Sequence, residues 1–187
     1  MPNSSTKQSG KPDAIDMLLA DHREVEKLFK SFEKTKDGED EQAVTDIVTT
    51  ACTALKVHSQ LEKEIFYPAI REVASEEELT DILSEAEVEH ETIDALVEKL
   101  SKVHLKEEMY KANFTVVVEY VKHHVKEEEK EMFPKVRKIK SLDLEAVGEE
   151  MSTRKQELMD EILGEEEGMP KTPLTKKSKS PGSQAAK

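Results

Sequence analysis

The sequence predicts an all-α fold: an up-down-up-down four-helix bundle with an additional C-terminal helix and disordered tails. Three observations carry that prediction. Apolar residues recur at spacings of three and four along four long segments, the mark of amphipathic helices. The composition is 37% charged and 4% aromatic, with no Trp and six Gly, in 187 residues. Such a mixture favours helix and starves a β-sandwich of its usual material. Finally, the segments are joined by short connections, which makes sequential helices antiparallel neighbours.

Residues 1–12, rich in Ser, Lys, Gln, Gly and Pro, are expected to be disordered. Asp13 follows Pro12 at an N-cap position, with Asp16 three residues on. The first stripe is Ile15, Leu18, Leu19, His22, Val25, Phe29 and Phe32, and TKDGED breaks it. The second runs Ile47, Val48, Ala51, Leu55, His58, Leu61, Glu62, Ile65, Ala69 and Val73. Ser75 and Glu78 make an S-x-x-E capping box, which is expected to open the third helix. Its stripe is Leu79, Ile82, Leu83, Ala86, His90, Ile93, Val97 and Leu100. The fourth carries Tyr110, Phe114, Val117, Val118, Val121, His124, Val125, Glu128, Met132, Val136 and Ile139. A fifth, weaker pattern runs from about Leu142 to Leu163. The resulting organisation is a tail over 1–12, a bundle over 13–140, an accessory helix over 141–163 and a second disordered tail over 164–187.

A net charge of −13 argues against nucleic acid as a partner, since phosphate contacts need clustered Lys and Arg. No long apolar run suggests a membrane span, and no apolar stretch near Met1 suggests a secretory signal, so a cytoplasmic protein is expected. The single Cys52 excludes an internal disulfide and is expected to pack as a small hydrophobe. Pro68 and Pro134 are expected to kink or end regular helix beyond the level of the histidines.

Each stripe should be apolar throughout, yet each is interrupted by a His, and two are interrupted again four residues later by a Glu. Positions i and i+4 share a helix face, so His58 projects with Glu62, and His124 with Glu128. From the turn near Gly38, at about 1.5 Å per residue, His22 and His58 lie at heights of roughly 24 and 30 Å. From the turn near Lys106, His90 and His124 lie at roughly 24 and 27 Å. The four imidazoles and two carboxylates therefore form one layer. The chain also repeats itself: DHREVEKLF around His22 is similar to EHETIDALV around His90, and HSQLEKEIFYP to HVKEEEKEMFP. A buried carboxylate must be paired or bound to a cation, so the layer points to metal. His104 and His123 lie off the layer and are expected to be structural or surface residues, and Glu127, Glu129 and Glu131 to form a solvated face. Imidazole and carboxylate without thiolate suit iron, and also zinc or manganese. Two carboxylates between two pairs of His favour two ions over one.

These motifs, namely His22 in DHREV, His58 and Glu62 in HSQLE, His90 in EHETI, and His124 and Glu128 in HVKEE, resemble the hemerythrin-like (HHE cation-binding) family. The resemblance covers about residues 13–140. It implies a non-haem di-iron centre with an oxo or hydroxo bridge. One iron would take His22 and His58, the other His90 and His124, with Glu62 and Glu128 bridging. Manganese and zinc are the competing occupants. The implied ligand is O2, another small diatomic or peroxide, and the implied role is oxygen, iron or redox sensing, storage or stress response. Oxygen-carrying members have a further His four residues beyond the position of His90, where this chain has Asp94. Asp94, Glu91 or Glu87 is then a possible additional ligand; otherwise the second iron keeps an open position, and either outcome argues against a reversible carrier. Two other functions compete: a di-iron oxidase or peroxide-removing enzyme at the same centre, and a non-metal helical interaction module. A protein partner reached through the tails is left open.

Overall fold

The computed structural model describes residues 11–103 and 108–168, and all of its regular structure is helical. The parts of the two tails beyond those limits, and His104, lie outside the described residues. In chain order the helices are α1 (Ala14–Thr35), α2 (Glu41–Leu61), α3 (Tyr67–Val73), α4 (Glu77–Ser101), α5 (Glu108–Glu127), α6 (Phe133–Val136) and α7 (Leu144–Gly168). α2 runs into α3 through a π-helical segment, Glu62–Phe66, and α5 into α6 through another, Glu128–Met132. The four long rods are thus α1, α2 with α3, α4, and α5 with α6. Among the described residues no helix is long and apolar enough to cross a membrane.

The start of α1 has the expected chemistry, with Asp13 Oδ1 accepting from the Asp16 N–H at 2.9 Å. The Ser75–Glu78 box does not form. α4 opens at Glu77, and Glu76 caps it without a side-chain hydrogen bond. The fifth helix is longer than the apolar pattern indicates and continues to Gly168, because Glu165 to Glu167 are good helix formers whether or not they touch a core.

Two apolar clusters sandwich a polar layer. One lies toward the α1–α2 turn and gathers Phe29, Phe32, Val44, Val48, Leu100 and Phe114 among others. The other gathers Ile15, Leu18, Phe66, Ile70, Leu83 and Met132. α7 closes that second cluster with Val147, Met151 and Leu158. Its close approach to α1 depends on Gly148, where a Cβ would fall 2.8 Å from the Ala14 nitrogen. Cys52 is half-buried against the first cluster, and burial pushes its thiol up to about 11, which keeps it unreactive.

The two prolines act differently from the expectation. Proline has no N–H and would orphan a carbonyl four residues back in a regular helix. Here the chain widens by one residue ahead of each: the Tyr67 N–H donates to the Glu62 carbonyl, and the Phe133 N–H to the Glu128 carbonyl. The rods continue past the prolines, and each departure from regular helix begins at the Glu of an H-x-x-x-E pair. The wider turn re-aims the side chains beyond it. Nine residues past His58, at ~100° per residue, Tyr67 would face the opposite side of a regular helix. One extra residue in the turn sets it back by ~100°, toward the histidine face. Tyr67 is fully buried as a result, and Phe133 is buried at the matching place in the other half.

Candidate metal centre

His22, His58, Glu62, His90, His124 and Glu128 come together between the two apolar clusters, each of them buried. α1 supplies His22, α2 and its π segment His58 and Glu62, α4 His90, and α5 with its π segment His124 and Glu128. The side chains form two ligand-capable groups, one of His22, His58, Glu62 and Glu128, the other of Glu62, His90 and His124. Within each group the nitrogen and oxygen atoms lie within 4.8 Å of one another. Each carboxylate reaches across. Glu62 Oε2 lies 3.2 Å from His58 Nε2 and 2.9 Å from His90 Nε2. Glu128 Oε2 lies 3.2 Å from His22 Nε2 and 3.5 Å from His124 Nε2.

Three further carboxylates stand behind the imidazoles. Glu129 lies 3.0 Å from His22 Nδ1 and also accepts from Arg23 at 2.7 Å. It is therefore not part of a freely solvated face. Glu89 lies 2.7 Å from His124 Nδ1, and Asp21 lies 3.8 Å from His58 Nδ1. At hydrogen-bond distance, as for Glu129 and Glu89, such a carboxylate fixes the tautomer and orientation of an imidazole and leaves its other nitrogen free for a cation. His123 is exposed beside Glu127 on the surface, as its place one residue off the stripe requires.

Asp94, Glu91 and Glu87 are not brought into the layer. Asp94 Oδ2 accepts from Lys63 at 2.5 Å on the α2–α4 surface, Glu87 pairs with Arg71 at 3.0 Å, and Glu91 is exposed. The extra oxygen facing the histidines belongs instead to Tyr67. Its hydroxyl lies 3.0 Å from His90 Nε2 and donates to Glu128 Oε1 at 3.1 Å. At the equivalent place in the other half, Phe133 stacks on His22, with ring centroids 5.8 Å apart and planes 11° from parallel. The aromatic ahead of each proline was visible in the sequence; its orientation depends on the π segment.

The electrostatics suit a cation. Burial, and then the His124 ring, push His90 down to about 2. Burial also lowers His58. Both imidazoles are neutral near neutral pH, the form that ligates metal. Burial and the adjacent Glu128 raise Glu62 well above the ordinary carboxylate range. Burial works against ionisation of Glu128 too, but His124 and His22 beside it hold it low. Burial, then Glu128 and Glu62, raise Tyr67 well above the usual phenol range. Among the described residues, His22 Nε2, His58 Nε2, His124 Nε2, Glu128 Oε2 and both oxygens of Glu62 are fully buried without a hydrogen-bond partner. Leaving so many buried polar atoms orphaned in one place is costly, and cations would satisfy all of them.

A four-helix bundle with a buried histidine–carboxylate layer of this composition defines a cation-binding helical protein. The model of the hemerythrin HHE cation binding domain matches residues 13–136, and the chain belongs to that family. No curated protein matches the sequence. Among solved structures, the crystal structure of a hemerythrin HHE cation binding domain-containing protein from Mycobacterium kansasii is similar, with a TM-score of 0.64 at 21% identity. The likeness covers 82% of this chain and 91% of that one, and it shows a shared fold. The family match ends before α7, so the accessory helix is an addition to the matched module.

Proposed function

We propose that the chain is a non-haem di-iron protein that responds to O2 or a related small oxygen ligand. His22 and His58 would serve one ion and His90 and His124 the other, with Glu62 and Glu128 shared. The observation that carries this reading is the position of Glu62. It belongs to both ligand groups, and one of its oxygens faces a histidine of each. Bound iron would supply one-electron redox chemistry and an open coordination position.

The remaining work falls to the protein's own residues. Val25, Leu55, Ile93, Val121 and Val125 wall a cavity of about 20 Å3 on the histidine side of the layer, room for one small molecule. These apolar side chains limit water there. A wider groove of about 340 Å3 between α1 and α5 shares His22, Val25, Val121 and Val125 with that cavity and offers a route inward. Tyr67 provides a hydroxyl at His90 and Glu128, suited to donate either its oxygen to an ion or its proton to a bound ligand. The same hydroxyl bears on the second reading, turnover of peroxide, because it is a buried hydrogen-bond donor held beside the ligand position.

The deciding experiment loads the protein with Fe(II) without oxygen, measures bound iron and records absorption on admission of air. About two irons per chain, with the bands of a coupled ferric pair, support the reading. Iron near zero in wild-type protein overturns it. A stable oxygen adduct favours binding, whereas catalytic loss of added peroxide that disappears in His58→Ala favours the enzyme.

A further inference from the structure

α7 lies outside the family module, yet two of its consecutive residues reach groups that border the layer. Arg154 donates from Nε to Glu64 Oε2 at 2.8 Å, gripping the π segment that opens with Glu62. Lys155 donates from Nζ to Asp21 Oδ1 at 2.5 Å, and Asp21 is largely buried with its other oxygen toward His58. His58 Nδ1 is itself buried and has no hydrogen-bond partner among the described residues. Asp21 Oδ2, at 3.8 Å, is an acceptor a fraction of an ångström out of reach. Without Lys155, Asp21 would be a partly buried carboxylate with nothing to hold it toward α2, free to turn to solvent through the groove that it shares with Lys155.

We infer that Lys155 is a positioning residue, which holds Asp21 against His58 and so makes the C-terminal helix a working part of the metal centre. This rests on the proposed reading of the layer as a metal site. Lys155 touches no ligand atom itself; it acts through one carboxylate, as the partners behind metal-binding histidines commonly do. Arg154 on Glu64 supplies the matching restraint on the segment that aims Glu62.

The test uses the full chain loaded with Co(II), mixed with excess chelator, and follows the decay of the cobalt visible bands. Lys155→Met is expected to release cobalt about tenfold faster than wild type, the lower end of what such partners contribute. Lys155→Arg, which restores the charge, is expected to return the rate to within about threefold. If Lys155→Met does not fold, Asp21→Asn, which keeps every α7 side chain in place, carries the same expectation. Release at the wild-type rate in a folded variant overturns the inference and leaves α7 a packing element. Failure of wild-type protein to take up cobalt or iron would instead refute the metal reading itself, a separate outcome.

Discussion

Replacing Glu62 with Met separates a metal centre from a structural polar network, because the two predict opposite signs. Glu62 is 0% exposed and neither of its oxygens accepts a hydrogen bond. Burying an unsatisfied polar group costs ~1–3 kcal/mol, a cost that an apolar side chain of similar size does not carry. Met has nearly the volume of Glu, and the site borders the apolar cluster of Leu61, Phe66 and Met132 in the same rods. The metal-free variant should therefore gain about 2 kcal/mol, a rise in Tm of roughly 4–8 °C for a chain of this size. Metal should act the other way. At a hundredfold excess over Kd each bound ion adds about 2.7 kcal/mol, so two would raise the wild-type Tm by roughly 10–20 °C. The variant should lose that increment. Differential scanning calorimetry on chelated and metal-loaded samples reads both effects. A metal-free Glu62→Met that melts well below wild type, together with a wild type indifferent to metal, would refute the reasoning and favour a polar network that fixes helix register.

Three further outcomes rest on the same geometry. Tyr67→Phe should remove the visible phenolate charge-transfer band from Fe(III)-loaded protein while keeping the iron; a band unchanged in the variant would rule out Tyr67 as an oxygen donor. In the metal-free protein, burial holds His90 near 2 against an unfolded value of 6.5, so its contribution is intact above pH 6.5 and is lost as pH falls from 6.5 toward 2. At full slope that is about 1.4 kcal/mol per pH unit. His58, also lowered, adds to the loss, whereas His124, raised by Glu128 and Glu89 against the effect of burial, contributes stability below pH 6.5 and opposes it. A urea midpoint that is flat from pH 7 to 5, or a slope that survives His90→Leu, would contradict the assignment. Gly148→Ala drives a Cβ into the α1 backbone and should cost ~1–3 kcal/mol, seen as a fall in thermal midpoint; an unchanged midpoint would mean that α7 can shift without penalty.

The helices and the six-residue layer were legible because both rest on helical periodicity. A His or Glu in an apolar stripe is conspicuous, and counting from the turns gives its height. The features that the sequence hid depend on departures from that period. Tyr67 is nine residues from His58 and is turned inward only by the π segment, and nothing in EKEIF distinguishes a π turn from an α turn except the nearby proline. Asp94 is one regular turn beyond His90 and should share its face. Instead its side chain is half-exposed and pairs with Lys63 of the π segment and Ser59 of α2. Glu129 and Glu89 look like ordinary members of acidic runs, and only the packing of α1 and α4 against α5 reveals that each holds an imidazole.

The group of His22, His58, Glu62 and Glu128 draws on both halves of the repeated chain, from the first half of α1 to the π segment that follows α5. A protein with a single cysteine has no disulfide of its own to tie distant segments together. An ion held there would close a loop spanning nearly the whole bundle, removing freedom from the unfolded chain as a covalent tether does. Glu128 is the second half's contribution to that group, and Glu62 is the first half's contribution to the other. Metal would then favour the docking of one half on the other, and its loss would be felt by the molecule as a loosening between them.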